Sequence, residues 1–193
     1  SVNNGYNGFY GQDVSECYCL NSVSWSNGHD AISINGGFLG VTNTVLGASG
    51  YERYIYSMQA GGVIKADYND MVTTNDAYVA RLPTSISKSM IRWQESTTND
   101  LHSLSHNPQF VNAGAGDYHL RSSVGRFDPN LNTFVTTDTT NSSLIDAGDP
   151  ASGYSGETPP NGGRVNIGLY GDAPQASRSR TNGWVLALTM NDG

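Results

Sequence analysis

Short runs of alternating apolar and polar residues, separated by Asn and Gly, repeat along the chain from its start to Asp76. Placing Asp13–Gly28 over Asn35–Gly50, at an offset of 22, matches several positions: Cys17 with Leu39, Cys19 with Val41, Asn21 with Asn43 and Val23 with Val45. A third copy, Gly61–Asp76, repeats the Asn at Asn69 after a longer interval, and its apolar members are Val63, Tyr68 and Met71. Each copy predicts two short strands with an Asn at the corner between them.

A repeat of this length is typical of a parallel β-helix, in which each coil stacks on the previous one and shares its apolar interior. Asn suits the corners because it tolerates the left-handed backbone conformation, and its amide can bond to equivalent residues in neighbouring coils. A β-sandwich is the competing interpretation, since its strands also alternate with turns about every 8 to 12 residues. The match between the first two copies at an offset of 22 residues favours the all-β solenoid.

The pattern changes after residue 76, and we expect an irregular segment over residues 77–106 with at most one short helix. Ile86, Met90 and Trp93 fall on one helical face there. Residues 107–177 are rich in Pro, Gly and Asp, which predicts a terminal coil and capping loops with very short strands at Phe110–Val111, Tyr118–Leu120 and Val165–Ile167. Residues 178–193 contain the apolar run Trp184–Met190, so we expect a linker or strand leading to a missing downstream domain.

The amino-acid composition excludes several classes of structure and function. Gly, Ser, Asn and Thr fill 79 of 193 positions, which disfavours long helices. With 10 Lys and Arg and a net charge of -7, nucleic acid is not expected as a partner, because phosphate binding depends on clustered basic residues. No apolar run reaches the roughly 18 to 20 residues of a membrane span. Cys17 and Cys19 are too close in sequence for an unstrained disulfide and lack further zinc ligands.

Six motifs in a fixed order carry a family resemblance. They are DYN (67–69), DLHSLSHNPQFVN (100–112), GDYHLRS (116–122), GRFDPNLNTFVT (125–136), IDAGDP (145–150) and PNGGRVNIGLYGDAPQAS (160–177). This series resembles the terminal segment of right-handed parallel β-helix proteins of the pectate-lyase-like superfamily, found as modules in large secreted bacterial proteins. Leu144 departs from that pattern, in which Cys or Ala is frequent. The resemblance implies a right-handed solenoid finished by loops, and it says little about activity.

Enzymes of that superfamily include lyases that hold calcium with carboxylates and use Arg or Lys as the base. The catalytic candidates on this basis are Lys65, Asp67, Asp70 and Arg92. Alternation would place Lys65, Asp67 and Asn69 on one strand face. His102 and His106 are four apart but lack the glutamate of a metalloprotease motif.

Binding candidates are aromatic and acidic. Tyr10, Trp25 and Tyr54 belong to an aromatic-rich stretch that suits carbohydrate, since sugars have apolar ring faces and many hydroxyls. Asp128, Asp146 and Asp149 lie in loops that could hold calcium, the one cofactor the sequence suggests. Each of these side chains also has a plain structural interpretation as a core or turn residue.

We therefore expect a non-catalytic structural or adhesive module of a larger secreted or cell-surface protein. Its expected partners are polysaccharide or other cell-surface components, together with flanking domains of the same polypeptide. Two alternatives stay open: a calcium-assisted polysaccharide lyase or other carbohydrate-active enzyme, and a fibre subunit that self-associates through exposed solenoid ends.

Overall fold

The chain forms a parallel β-solenoid of about three turns in a computed structural model that describes residues 1–59 and 61–180. The solenoid strands are β1 (Phe9–Leu20), β2 (Val23–Ser24), β3 (Ile32–Thr42), β4 (Val45–Ser49), β5 (Tyr54–Met58), β6 (Gly62–Asp67), β7 (Asp70–Thr74), β8 (Tyr78–Arg81) and β9 (Ile86–Ser87). They are followed by a helix, α1 (Met90–Thr97), and by four short strands, β10 (Phe110–Asn112), β11 (Asp117–Leu120), β12 (Arg126–Asp128) and β13 (Thr133–Val135). The predicted fold class is confirmed: the protein is mostly β, with one short helix in the described part of the chain.

Each coil runs along two sheets, which are parallel except that β9 pairs antiparallel with β8. The larger sheet holds β1, β3, β5, β6, β8 and β9, and the smaller one holds β2, β4 and β7. The first residues of β3 pair with β5 and its later residues pair with β6, so the larger sheet changes direction in the middle of β3. Gly36 and Gly37 have positive φ at that point, and a side chain on Gly37 would collide with the backbone of Val14 in the previous coil.

The predicted repeat is confirmed between the first two coils, where Cys17 pairs with Leu39, Cys19 with Val41 and Val23 with Val45. The third copy differs from the prediction, which aligned Asn43 with Asn69. Thr42 pairs with Asp67 and Val45 with Asp70, so the third coil is shifted by one position from the expected register. Tyr68 therefore occupies the left-handed corner that Asn21 and Asn43 occupy in the earlier coils.

The core of the solenoid is a stack of apolar side chains from successive coils. Leu39, Val41 and Leu46 are fully buried in the second coil, and Ile64 and Met71 are buried in the third. Val63, expected in the core, is 47% exposed, because the observed register turns Ile64 inward instead.

The predicted short helix exists, but it begins later than the apolar spacing suggested. Ser89 caps its N-terminus and Trp93 is its one buried residue, while Ile86 lies in β9 and is half exposed. After the helix, the backbone N–H of Asp100 donates to the carbonyl of Ala66 and Leu104 forms a bridge to Asp70. The helix and this segment thus cover the third coil.

Within residues 1–59 and 61–180, no helix is both long enough and apolar enough to cross a bilayer.

The segment of residues 107–180, here called the loop region, packs along the side of the solenoid. Its buried apolar residues contact Val23 and Val45, which belong to different coils. The corner asparagines bond to it rather than to one another: Asn21 Nδ2 donates to the carbonyl of Gly171, and Asn43 Oδ1 accepts from the backbone N–H of Asp149.

Strands are present in the loop region at two of the three predicted places, β10 and β11, which pair with each other. Residues 165–167 form no strand, because their backbone groups bond to separate loops; the N–H of Ile167, for example, donates to the carbonyl of Leu144. Residues 178 and 179 still belong to the loop region through backbone bonds to Gly125 and Pro160. The linker or strand expected beyond them, including Trp184–Met190, lies outside the described residues.

Candidate functional site

Trp25 lies on the outer surface of the smaller sheet, directly after β2. Its six-membered ring covers Gly47 of the next coil, where an added Cβ would lie 2.5 Å from Cε3 of the indole. Any larger residue at position 47 would push the ring off the strand. On its other side, Trp25 meets the edge of Phe110 in the loop region, with ring centroids 5.3 Å apart. The indole is thus fixed from two directions while its residue remains partly exposed.

A depression of about 220 Å³ adjoins the indole and contains no charged side chain. It is lined by Trp25, Ser26, Gly47, Ala48, Ser49, Val72 and Thr74. Two of its three hydroxyl groups come from paired positions in neighbouring coils, since Ser49 pairs with Thr74 across β4 and β7. The result is a surface that combines one aromatic ring with hydroxyl groups, which we call the Trp25 surface.

A second, more open depression of about 490 Å³ borders Trp25 from the loop region. Its other lining residues are Asn107, Pro108, Gln109, Phe110, Ala113, Arg121 and Thr140. Amide side chains are well represented among them, so the indole stands between a hydroxyl-lined and an amide-lined depression.

The other two aromatic candidates lie elsewhere. Tyr10 is 52% exposed on β1, and its hydroxyl donates to Gln12 at 3.3 Å. Tyr54 is only 5% exposed, but it lines a groove of about 420 Å³ at the start of β5. The structure therefore does not unite Tyr10, Trp25 and Tyr54 in one depression.

The four catalytic candidates do not form one group. Arg92 is highly exposed on α1 and lies 3.5 Å from Glu95. Asp70 is fully buried, accepts from the backbone N–H of His106 at 2.8 Å, and has its pKa raised to about 6 because burial disfavours the charged carboxylate.

Lys65 and Asp67 do share the outer face of β6 and line a depression of about 300 Å³. Asn69, expected on the same face, is fully buried and donates to Asp100 Oδ1 at 2.9 Å. The strand ends at Asp67 and the left-handed residue Tyr68 redirects the chain, so the alternation does not continue to Asn69.

His102 joins Asp67, which the sequence did not indicate. Its Nδ1 lies 2.7 Å from Asp67 Oδ2, and its backbone N–H donates to Asp67 Oδ1 at 2.8 Å. The imidazole stacks on Tyr68 with ring centroids 4.9 Å apart. The wide separation of the partners along the chain explains why sequence spacing could not reveal this pair; the pairing depends on how the segment after α1 returns to the third coil.

Two of the three aspartates proposed as metal ligands, Asp128 and Asp149, bond to the backbone of their own loops. Asp128 Oδ1 accepts from the backbone of Asn130, and Asp149 Oδ1 accepts from that of Ala151. Burial raises the pKa of the Asp146 carboxyl, an effect that Ser179 and Arg164 partly offset. Across residues 1–59 and 61–180, no group of three or more His, Cys, Asp or Glu side chains could hold a metal ion. Calcium binding at these loops stays a prediction.

Comparison with known proteins gave no match to a family model, to a curated protein sequence or to a solved structure. The function must therefore be argued from the residues themselves.

Proposed function

We propose that the protein is a non-catalytic module that binds polysaccharide through the Trp25 surface. The observation that carries this proposal is an indole held over Gly47, beside a depression lined by hydroxyl groups and free of charge. A pyranose ring has an apolar face that can lie against the indole and hydroxyl groups that can bond to Ser26, Ser49 and Thr74. Because the ring is fixed by Gly47 and Phe110, little conformational entropy is lost when a sugar binds.

The wider setting is part of the same proposal. The six motifs between residues 67 and 177 support a module of the pectate-lyase-like superfamily from a larger secreted or cell-surface protein. A parallel solenoid suits adhesion, since it repeats the same surface positions at each coil and can contact several units of a polymer. The uncharged Trp25 surface favours neutral sugars.

Binding of neutral hexasaccharides of glucose, xylose and mannose to the full chain, measured by calorimetry, tests the proposal. At least one should bind, and Trp25→Ala should weaken it at least about tenfold, the usual scale for an aromatic anchor. Tyr154→Ala removes another partly exposed aromatic side chain, from the loop region, and should leave affinity unchanged.

Trp25→Ala also removes packing against Phe110, so a second variant separates binding from folding. Ser49 is exposed at the rim of the depression, and Ser49→Arg should block the sugar without disturbing the core. Binding that survives both Trp25→Ala and Ser49→Arg would reject the Trp25 surface as the site, as would the absence of binding to all three neutral polymers.

One observation favours an acid–base enzyme as a second candidate. Nδ1 of His102 lies 2.7 Å from Asp67 Oδ2, so this carboxylate can hold the imidazole in place, and Lys65 lies on the same strand face. In a uronate polymer, His102 would remove the proton α to the carboxylate that Lys65 binds. The β C–O bond would then break to give an unsaturated sugar, and water would supply a proton to the departing oxygen. Ultraviolet absorbance with polygalacturonate, with and without calcium, tests this. Activity should vanish in His102→Gln and persist in His29→Gln; no absorbance from the unaltered chain would eliminate this candidate.

A further inference from the structure

A second surface with different chemistry lies at the turns that lead into β5 and β8. The groove there has a volume of about 420 Å³, within the usual range for small-molecule sites. It is bounded by His29 and Asp30 before β3, by Glu52, Arg53 and Tyr54 at β5, and by Arg81 and Ile86 at β8 and β9. We call it the basic groove. None of its lining residues belongs to the Trp25 surface.

Aromatic rings from two consecutive coils meet beside the groove. Tyr54 and Tyr78 are paired across β5 and β8, and their ring centroids lie 5.7 Å apart. Tyr51, in the turn before β5, approaches Tyr78 edge-on at 6.2 Å and is 68% exposed. These rings form an apolar wall with phenol hydroxyls at its edge.

Three of the ten basic residues of the chain surround this wall. Lys88 Nζ lies 5.2 Å from the centre of the Tyr78 ring, and Arg53 and Arg81 line the groove. None of the three forms an ion pair in residues 1–59 and 61–180. Arg53 makes only a long bond, 3.4 Å, to the carbonyl of Glu52. The chain has more acidic than basic residues and a net charge of -7, yet no carboxylate of the described residues forms an ion pair with Arg53 or Arg81.

Two acids, Asp30 and Glu52, also line the groove, and neither forms an ion pair with Arg53 or Arg81 in the described residues. Asp30 Oδ1 instead accepts from the backbone N–H of Tyr54 at 3.0 Å. Burial raises the pKa of this carboxyl, a rise that attraction to Arg53 partly opposes. Glu52 is exposed at the rim. The groove thus keeps two guanidinium groups that can bind an anion in a bidentate manner.

We propose that the basic groove binds a sugar that carries an anionic group, with the anion between Arg53 and Arg81 and the sugar ring against the exposed Tyr51 and the partly exposed Tyr78 beside the groove. Carboxylate and sulfate share this chemistry. Single-stranded nucleic acid also combines rings with negative charge. However, the protein's net charge of -7 and the exposed Glu52 would repel a polyanion whose charges extend beyond the one unit bound in the groove. This site does not depend on sugar binding at the Trp25 surface.

The test uses the full chain and five probes: galacturonate hexamer, its methyl ester, a sulfated heparin hexasaccharide, neutral glucose hexamer and a 12-nucleotide single-stranded DNA. Calorimetry should show binding of the carboxylated or the sulfated probe that weakens as salt increases. Which of the two binds identifies the anion. The methyl ester should bind at least about tenfold more weakly than the free acid if carboxylate is recognised.

Arg53→Gln combined with Arg81→Gln should weaken the anionic probe at least about tenfold. Arg92→Gln makes the same type of charge change at an exposed helical position and is the matched control. Trp25→Ala should leave this binding unchanged, which separates the basic groove from the Trp25 surface. Three results would each overturn the proposal. The first is an equal loss of affinity in Arg92→Gln, and the second is no binding of either anionic sugar at 1 mM, which corresponds to a binding free energy of about 4 kcal/mol. The third is tighter binding of the DNA than of the anionic sugars.

Discussion

The stacked coils and the loop region are stabilised in different ways. In the coils, apolar side chains repeat in register, and fifteen buried residues of the coils form one continuous core with Trp93 of α1. In the loop region, six buried apolar residues form the second core, two of them contributed by the coils, and polar side chains supply many of the long-range contacts. Glu157, Asn166 and Asp138, for example, are buried and bond to backbone groups of distant loops. A regular repeat can rely on stacking, whereas irregular loops must satisfy each backbone group separately.

The largest effect is expected from the coil core. Leu39→Ala removes a fully buried side chain stacked between Cys17 and Ile64, and should lower the free energy of unfolding by about 3 to 4 kcal/mol. Leu144→Ala is the matched change in the loop region, and should cost about 2 kcal/mol because the smaller core can relax. Urea denaturation measures both. A greater loss for Leu144→Ala would mean that the loop region is the more tightly packed part.

A polar deletion should be nearly as harmful in the loop region. Glu157 Oε1 accepts from the backbone N–H groups of Asn166 and Asp172 at 2.8 and 3.1 Å. Glu157→Ala removes the acceptor of the buried N–H of Asn166 and of the partly buried N–H of Asp172, and should cost about 2 kcal/mol. Glu157→Gln keeps an oxygen in place and should cost much less at pH 8. If the two variants were equally unstable, the hydrogen bonds would not be the cause.

The two regions should also differ in their response to pH. Burial raises the pKa of Glu157 to about 7 in the loop region, with Asp146 and Asp172 adding to the shift, and that of Asp70 to about 6 beside the coil core. Backbone hydrogen bonds to each carboxylate, and the charge of His106 near Asp70, partly oppose these shifts.

Because the folded state then binds more protons than the unfolded state, whose carboxyls titrate near pH 4, these two groups should make the protein more stable as pH falls from 8 to 5. Thermal unfolding of Glu157→Gln should lack most of this gain above pH 6 and about half of the gain between pH 6 and 5, where Asp70 still contributes. An identical pH profile in the variant would show that Glu157 is ionised in the folded protein across this range.

The smallest effects belong to the corners where the two regions meet. Asn43 makes two side-chain bonds to the loop region, with Asp149 and Ser152, whereas Asn21 makes one, to Gly171. Both asparagines have positive φ, so substitution by Gly removes the strain of the left-handed backbone in each case. Asn43→Gly should cost about 1 kcal/mol more than Asn21→Gly, which should be close to neutral. Thermal unfolding that ranks them in the opposite order would assign the corner role to conformation alone.

The coils can be predicted from the sequence because their signal is a repeat. The match of Cys17 with Leu39 and of Val23 with Val45 follows directly from apolar spacing. The third coil is harder to align. Asn69 suggests that the corner lies at position 69, but the residue at the corner is Tyr68, one position earlier. The side chain of Asn69 points inward and bonds to the backbone of Thr44 and to Asp100. The spacing of residues along the sequence gives no signal for these contacts.

The sites are only partly predictable. Trp25 stands out as an aromatic residue in a Gly- and Ser-rich stretch, but its position over Gly47 requires the register between coils. Arg53 and Arg81 could not be predicted as site residues from the sequence because neither belongs to a motif. The interval between Tyr54 and Tyr78, which is close to the length of one coil, is the available signal.

The attachment of one loop region to three successive coils has a mechanical consequence. Gly171 holds the first corner through Asn21, Asp149 holds the second through Asn43, and Arg164 lies 5.5 Å from the ring centre of Tyr68 at the third. A bare solenoid can lose its coils one at a time from an end, since each coil contacts only its neighbours. Here each of the three corners is also attached to the same loop region, so a coil that separates must break its contact with that region as well as its contacts with the neighbouring coils.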